Sequence, residues 1–246
     1  MPNGCFVSDL HRYSQRSQPA RYESEIVSAA ASSDFMVLGG DLFDFRWSTL
    51  PSLEATVQAA AEWLEALLAA APDCQFYYVL GNHDFYTPFV ERLAELSQNE
   101  PRLDWYRYHL RLGDCLFVHG DVADGHTDQQ QMAAARVKWQ EERQRGRAAN
   151  ALYDAVVAMR LHKAASCLAY PHARTAERIA AYAGAVGHDA ERGVRRVYFG
   201  HTHRAVADYE QNGLTFHNGG APIAGLAFSL PPITMDVEHL QTIDGH

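Results

Sequence analysis

The chain has 246 residues, 47% of them apolar and 21% charged, with a formal net charge of −9 when histidine is neutral. That balance is ordinary for a globular enzyme, and it lacks the basic footprint of a non-specific nucleic-acid binder. No apolar run approaches the roughly 20 residues that a bilayer span needs. The first residues, Met1 to Val7, lack the basic start and apolar run of a signal peptide. They read as a core strand, and the expected location is cytoplasmic.

In chain order, Cys5-Phe6-Val7 predicts a strand, and helical spacing follows from Arg21 to Ala31. Phe35 to Leu38 is a second apolar run, stopped by Gly39-Gly40. Residues Ser52 to Ala71 predict a long helix with Ser52 as N-cap, Glu54 in its first turn and Pro72 beyond its end. Leu53, Val57, Ala60, Leu64, Leu67 and Leu68 form its apolar face. Phe76 to Leu80 predicts a third strand, Phe89 to Leu96 a helix, and Cys115 to Val118 another strand.

From about Gly125 to His188 the composition turns to Ala, Gln, Arg and Glu, without strand signals. This stretch, about 125–190, reads as a helical insertion with helices near Asp128–Gln144, Ala148–Leu168 and Thr175–Ala183. Strands resume at Val194–Phe199, Ala205–Tyr209, Leu214–His217 and Ile233–Val237, with Asn212-Gly213 as a hairpin turn. Strand and helix alternation predicts an α/β fold. A single domain over 1–246 is expected, because the candidate ligands run from Asp9 to His203 and must meet. The four cysteines, Cys5, Cys74, Cys115 and Cys167, form no CxxC pair and read as reduced, buried thiols.

Five apolar strands end directly in polar clusters. Val7 runs into Ser8-Asp9-Leu10-His11, Leu38 into Gly39-Gly40-Asp41, and Leu80 into Gly81-Asn82-His83-Asp84. Val118 runs into His119-Gly120-Asp121, and Phe199 into Gly200-His201-Thr202-His203. Open α/β sheets bind ligands at the carboxyl ends of their strands, so the five ends can converge. Carboxylate oxygens, imidazole nitrogens and an amide carbonyl form a donor set suited to Mn, Fe or Zn. There are more donors than one ion needs, which points to two divalent ions. Each motif alone is a weak signal, Gly81-Asn82-His83-Asp84 being more specific than the rest; the ordered series is specific.

That series, Asp9-x-His11, Gly40-Asp41, Gly81-Asn82-His83-Asp84, His119 and Gly200-His201-x-His203, resembles the calcineurin-like metallophosphoesterases. The resemblance implies a four-layer αββα sandwich. It also implies two metals, one held by Asp9, His11, Asp41 and His203, the other by Asp41, Asn82, His119 and His201. A water between the ions would be the nucleophile that cleaves a phosphodiester or pyrophosphate. His83 would act as a catalyst that is not a ligand, with Asp84 orienting it. Arg204 and Arg12, beside the metal motifs, are candidates for gripping a phosphate.

A weaker resemblance, on chain size, the Gly-Asp-Leu-Phe-Asp run at 40–44, His119-Gly120-Asp121 and the helical insertion, is to the UDP-2,3-diacylglucosamine pyrophosphohydrolases. It implies a nucleotide-linked lipid substrate and peripheral contact with the inner membrane face. The sequence departs from that branch in carrying His83 where its best-known members have Arg. The alternative is a nucleotide or other small phosphate ester. Leu152, Val156, Val157, Met159, Leu161 and Leu168 form either an acyl groove or a packing face. Arg136, Lys138, Arg143, Arg145 and Arg147, interleaved with Glu141 and Glu142, read as a solvated helix face. His217, ahead of Asn218-Gly219-Gly220, reads as a group that supports a ligand.

Overall fold

A computed structural model describes residues 2–126, 128–140, 144–146 and 166–235. Two five-stranded sheets form its centre. In the first, β1 (Asn3–Val7), β2 (Phe35–Leu38), β3 (Gln75–Val79) and β4 (Leu103–Tyr106) are parallel neighbours. The chain returns as β10 (Pro232–Thr234), antiparallel on the β1 edge. In the second sheet, β6 (Cys115–Val118), β7 (Arg196–Phe199) and β9 (Leu214–Asn218) are parallel. Its edges are antiparallel strands, β5 (His109–Leu112) beside β6 and β8 (Val206–Gln211) beside β9.

Strand alternation builds the layers. Phe6, Val37 and Val79 of the first sheet meet Leu110, Phe117 and Tyr198 of the second in one apolar cluster. The rings of Phe6, Phe117 and Tyr198 pack with centroids 5.2 to 6.2 Å apart. The intervening residues Cys5, Val7, Met36, Leu38, Phe76 and Tyr78 face outward onto α1 (Glu23–Ala31), α2 (Leu53–Ala70) and α3 (Thr87–Asn99). On the second sheet Leu116, Val118, Val197 and Phe199 face α4 (Gln129–Gln140) and α5 (His172–Ala185), which contribute Met132, Ile179 and Tyr182. The result is the αββα order. Strands buried on both faces explain the unbroken apolar runs in the sequence.

The long helix starts as its sequence dictates. Ser52 is extended, and its hydroxyl accepts the Ala55 N–H at 3.1 Å, a cap that contributes about 1 kcal/mol. Ala60, Leu64, Leu67 and Leu68 are buried beneath it. Asn212 and Gly213 both adopt positive φ, as a tight turn between β8 and β9 requires. Among the described residues, no helix is long and apolar enough to cross a membrane.

Several expectations need correction. β4 and β5 were not anticipated, because Leu-Asp-Trp-Tyr and His-Leu-Arg-Leu mix charge with apolar residues, as edge strands do. The third insertion helix is longer than its pattern, running from His172 to Ala185. The first is described over Gln129–Gln140, and Gln144 lies outside it. Cys167 is exposed, unlike the buried Cys5, Cys74 and Cys115. Arg136 is buried, because its guanidinium forms a two-bond pair with Asp121 at 2.7 and 2.9 Å and donates to the Arg107 carbonyl at 2.6 Å. Leu168 is 79% exposed; Leu152, Val156, Val157, Met159, Leu161, Arg143 and Arg147 lie outside the described residues.

Candidate metal centre

The polar strand ends meet between the carboxyl ends of the two sheets. Asp9 and His11 follow β1, Asp41 follows β2, Asn82 and His83 follow β3, His119 follows β6, and His201 and His203 follow β7. Loop pairing continues the sheet into the site. Asp9 and His11 donate backbone N–H groups to the Gly40 and Asp41 carbonyls at 3.0 and 2.9 Å, and Gly200 donates to the His119 carbonyl at 2.7 Å.

The turns are strained where the donors sit. Asp9, His11, Asp41, His201 and His203 have φ of 55°, 42°, 52°, 64° and 55°. Left-handed backbone costs an ordinary residue on the order of 1 kcal/mol or more and persists at functional sites. Glycine makes room for it. A Cβ on Gly81 would lie 2.1 Å from an Asp41 carboxylate oxygen, and one on Gly200 would lie 2.3 Å from an Asp9 oxygen.

The donors fall into groups around Asp41. Asp9, His11 and His203 form one, and Asp41, His119 and His201 another; Asp41 also groups with His11 and His83, each set of donor atoms lying within 4.8 Å. His11 Nε2 and His203 Nε2 are 2.9 Å apart. Asn82 Oδ1 lies 3.2 Å from both His119 Nε2 and His201 Nδ1. Asp9, Asp41, Asn82 and His119 are all buried.

Hydrogen bonding fixes what these atoms present. The Gly39 carbonyl, which can only accept, lies 3.0 Å from His119 Nδ1, so the proton belongs there and Nε2 turns a lone pair inward. That lone pair faces Asp41 Oδ2 at 3.2 Å and Asn82 Oδ1. Three acceptors at such distances require a positive charge among them. The electrostatics agree. Burial lowers the His119 pKa, but Asp41 and Asp9 reverse this and raise it to about 10. Burial raises the Asp41 carboxyl, yet His119 and His83 hold it well below its usual range. His203 is kept neutral by burial and by the neighbouring His11 and His201. A divalent cation meets the same demand as a proton, and the mixed oxygen and nitrogen donors fit it.

His83 lies at one flank. Its backbone N–H donates to Asp41 Oδ1 at 2.8 Å, and its ring stands edge-on to His11 with centroids 4.8 Å apart. Its Nδ1 lies 3.1 Å from Asp44 Oδ1, and the other Asp44 oxygen lies 3.5 Å from His11 Nδ1. Burial lowers the His83 pKa, but Asp44 and Asp41 raise it to about 9. The carboxylate on the His83 ring is therefore that of Asp44. Asp84 instead accepts the backbone N–H groups of Phe43 and Leu42 at 3.0 and 3.4 Å, bracing the loop that carries Asp41.

The two arginines are engaged elsewhere. Arg12 donates to Glu23 at 2.6 Å and stacks over Trp63 at 4.6 Å, so its charge is already committed. Arg204 donates to the Tyr170 carbonyl, and its Nη2 lies 3.0 Å from His172 Nε2. His217 stacks on Tyr198 rather than reaching a donor. Its neighbour Asn218 takes the supporting place: it is buried, donates to the Gly200 carbonyl at 2.9 Å and accepts the Gly220 N–H at 2.7 Å. Asp44, three residues beyond Asp41, and Asn218, at the end of a strand, both carried a positional signal without an assigned role.

The calcineurin-like phosphoesterase family model matches residues 5–205. No curated protein matches the chain. A crystal structure of a dimetal phosphatase from Danio rerio aligns with a TM-score of 0.46 and 13% identity, covering 94% of this chain and 92% of that one. The family match spans every strand end that brings a donor to the centre. The chain belongs to the calcineurin-like phosphoesterase family and is a metal-dependent phosphohydrolase.

Proposed function

We propose that the protein is a dinuclear-metal phosphoesterase, acting as one domain, that hydrolyses a phosphodiester or pyrophosphate bond. Asp9, His11, Asp41 and His203 hold one divalent ion, and Asp41, Asn82, His119 and His201 hold the other. The membership of Asp41 in donor groups on both sides carries this reading. Manganese suits the mixed oxygen and imidazole donors, with iron or zinc as alternatives. Bound ions of this kind supply Lewis acidity and an acidified water.

The chain's own residues do the rest. Asp44 holds the His83 ring beside the centre through its Nδ1. From there His83 donates a proton to the leaving oxygen or a hydrogen bond to a phosphoryl oxygen. Asp84 acts one step back, by fixing the backbone of Leu42 and Phe43. The net charge of −9 repels a phosphate substrate, so attraction has to come from the centre itself.

The test pairs metal analysis with a substrate panel. Wild-type protein loaded with Mn²⁺ is expected to bind two equivalents and to turn over bis-p-nitrophenyl phosphate faster than p-nitrophenyl phosphate. Asp41→Asn is expected to lose metal and essentially all activity. Full activity in that variant sinks the dinuclear scheme. A 2′,3′-cyclic nucleotide and a UDP-diacylglucosamine complete the panel. Strong preference for the latter supports the lipid-linked substrate and peripheral membrane contact; its absence leaves a nucleotide or small phosphate ester.

A further inference from the structure

The turn Asp121–Asp124, directly after His119 and Gly120, is held from the side of the insertion at three points. Arg136 of α4 grips Asp121 in bidentate fashion. Arg178 of α5 donates to the Ala123 carbonyl. Tyr170, just ahead of α5, donates its hydroxyl to Asp124 Oδ1 at 2.6 Å. The other Asp124 oxygen lies 3.2 Å from His201 Nε2.

A carboxylate only accepts, so Asp124 places the His201 proton on Nε2. The lone pair then sits on Nδ1, the atom that faces Asn82 Oδ1 at 3.2 Å. The Tyr170 ring stands edge-on to the His201 ring, with centroids 5.6 Å apart, and so limits its rotation. Tyr170 is itself fixed by Arg204, which donates to its carbonyl. The chain of contacts runs from Arg204 through Tyr170 and Asp124 to His201.

We infer that Asp124 and Tyr170 are positioning residues for His201, through which the end of the insertion sets the metal affinity of the Asp41–His119–His201 group. This rests on His201 being a ligand, as proposed above. A purely structural role fits the contacts poorly. The Asp124 side chain is 40% exposed, and ion pairs that exposed contribute little to folding. Partners behind a metal-bound histidine, by contrast, change metal affinity by about 10–100-fold.

The experiment is a calorimetric titration of Mn²⁺ into the metal-stripped full chain, with thermal melts in EDTA alongside. Asp124→Ala is expected to weaken one of two binding steps by about 10–100-fold, leaving the other step and the EDTA melt unchanged. Tyr170→Phe is expected to weaken the same step by a smaller factor, and Asp124→Glu to recover part of the loss. The control is His201→Ala. If it loses one equivalent while Asp124→Ala and Tyr170→Phe bind as wild type, the positioning role is wrong and the ligand assignment stands. If His201→Ala keeps both equivalents, the ligand assignment fails first. A lowered EDTA melt in Asp124→Ala with both steps weakened alike makes Asp124 structural and overturns the inference, unless Tyr170→Phe still acts on one step alone.

Discussion

His83 and His201 flank the same centre, and each is backed by a carboxylate, yet their supports come from different places. Asp44 lies three residues beyond Asp41 in the same loop and reaches both His83 and His11. Its position follows from the strand end that delivers Asp41. Asp124 belongs to the turn after β6, and its partner Tyr170 comes from within the insertion, just ahead of α5. The first flank is thus built within the core and the second is completed by the added segment. This arrangement lets the insertion influence the centre without contributing a donor.

The sharpest way to break that comparison is at His83, which itself lies within 4.8 Å of donor atoms on His11 and Asp41. His83→Ala is expected to lower kcat by about 10²–10⁴-fold, the range for loss of an acid–base group, while two equivalents of metal remain bound. Elemental analysis of the purified variant decides the matter. Loss of an equivalent would make His83 a ligand as His201 is proposed to be, and the two flanks would then be alike in kind.

The insertion flank is anchored by the buried Arg136–Asp121 pair, and its removal should be felt in stability. Arg136→Ala leaves Asp121 buried and unpaired, a loss of about 3–5 kcal/mol. For a chain of this size that lowers the melting temperature by roughly 6–20 °C. The double variant Arg136→Met, Asp121→Leu is expected to recover most of this, because it leaves no uncompensated charge. A single variant that melts within a degree or two of wild type would show that α4 is not anchored through this pair.

The donors were readable because each sits within a few residues of an apolar strand end, and the αββα order follows from strands apolar on both faces. What stayed hidden depends on contact across the fold. Arg136 sits among alternating charges, a pattern typical of a solvated helix face, and only the approach of Asp121 explains its burial. Tyr170 and Asp124 are 46 residues apart, and neither belongs to a repeating pattern. Arg12 stands beside a ligand in sequence, but α1 and α2 capture its guanidinium through Glu23 and Trp63. β4 and β5 escaped because edge strands carry polar residues that hide their period.

The smallest expected effect concerns how the second sheet meets the insertion away from the centre. His109 of β5 is buried, with its Nδ1 3.1 Å from the Tyr182 hydroxyl of α5 and its ring 5.1 Å from that of His188. Burial, then the neighbouring His188, lowers its pKa to about 4 from an ordinary value of 6.5. The folded protein therefore keeps this ring neutral at pH values where the unfolded chain protonates it. The unfolded state binds the extra proton between these two values, so stability falls as pH drops from 6.5 toward 4 and levels off below. By pH 5 the loss from this one group is about 2 kcal/mol. His109→Gln lacks the titration, so wild type should lose about 2 kcal/mol more than the variant between pH 7.5 and 5 in urea unfolding. Parallel stability profiles for the two proteins would mean that His109 protonates in the folded state, and that the contact between β5 and α5 opens to water.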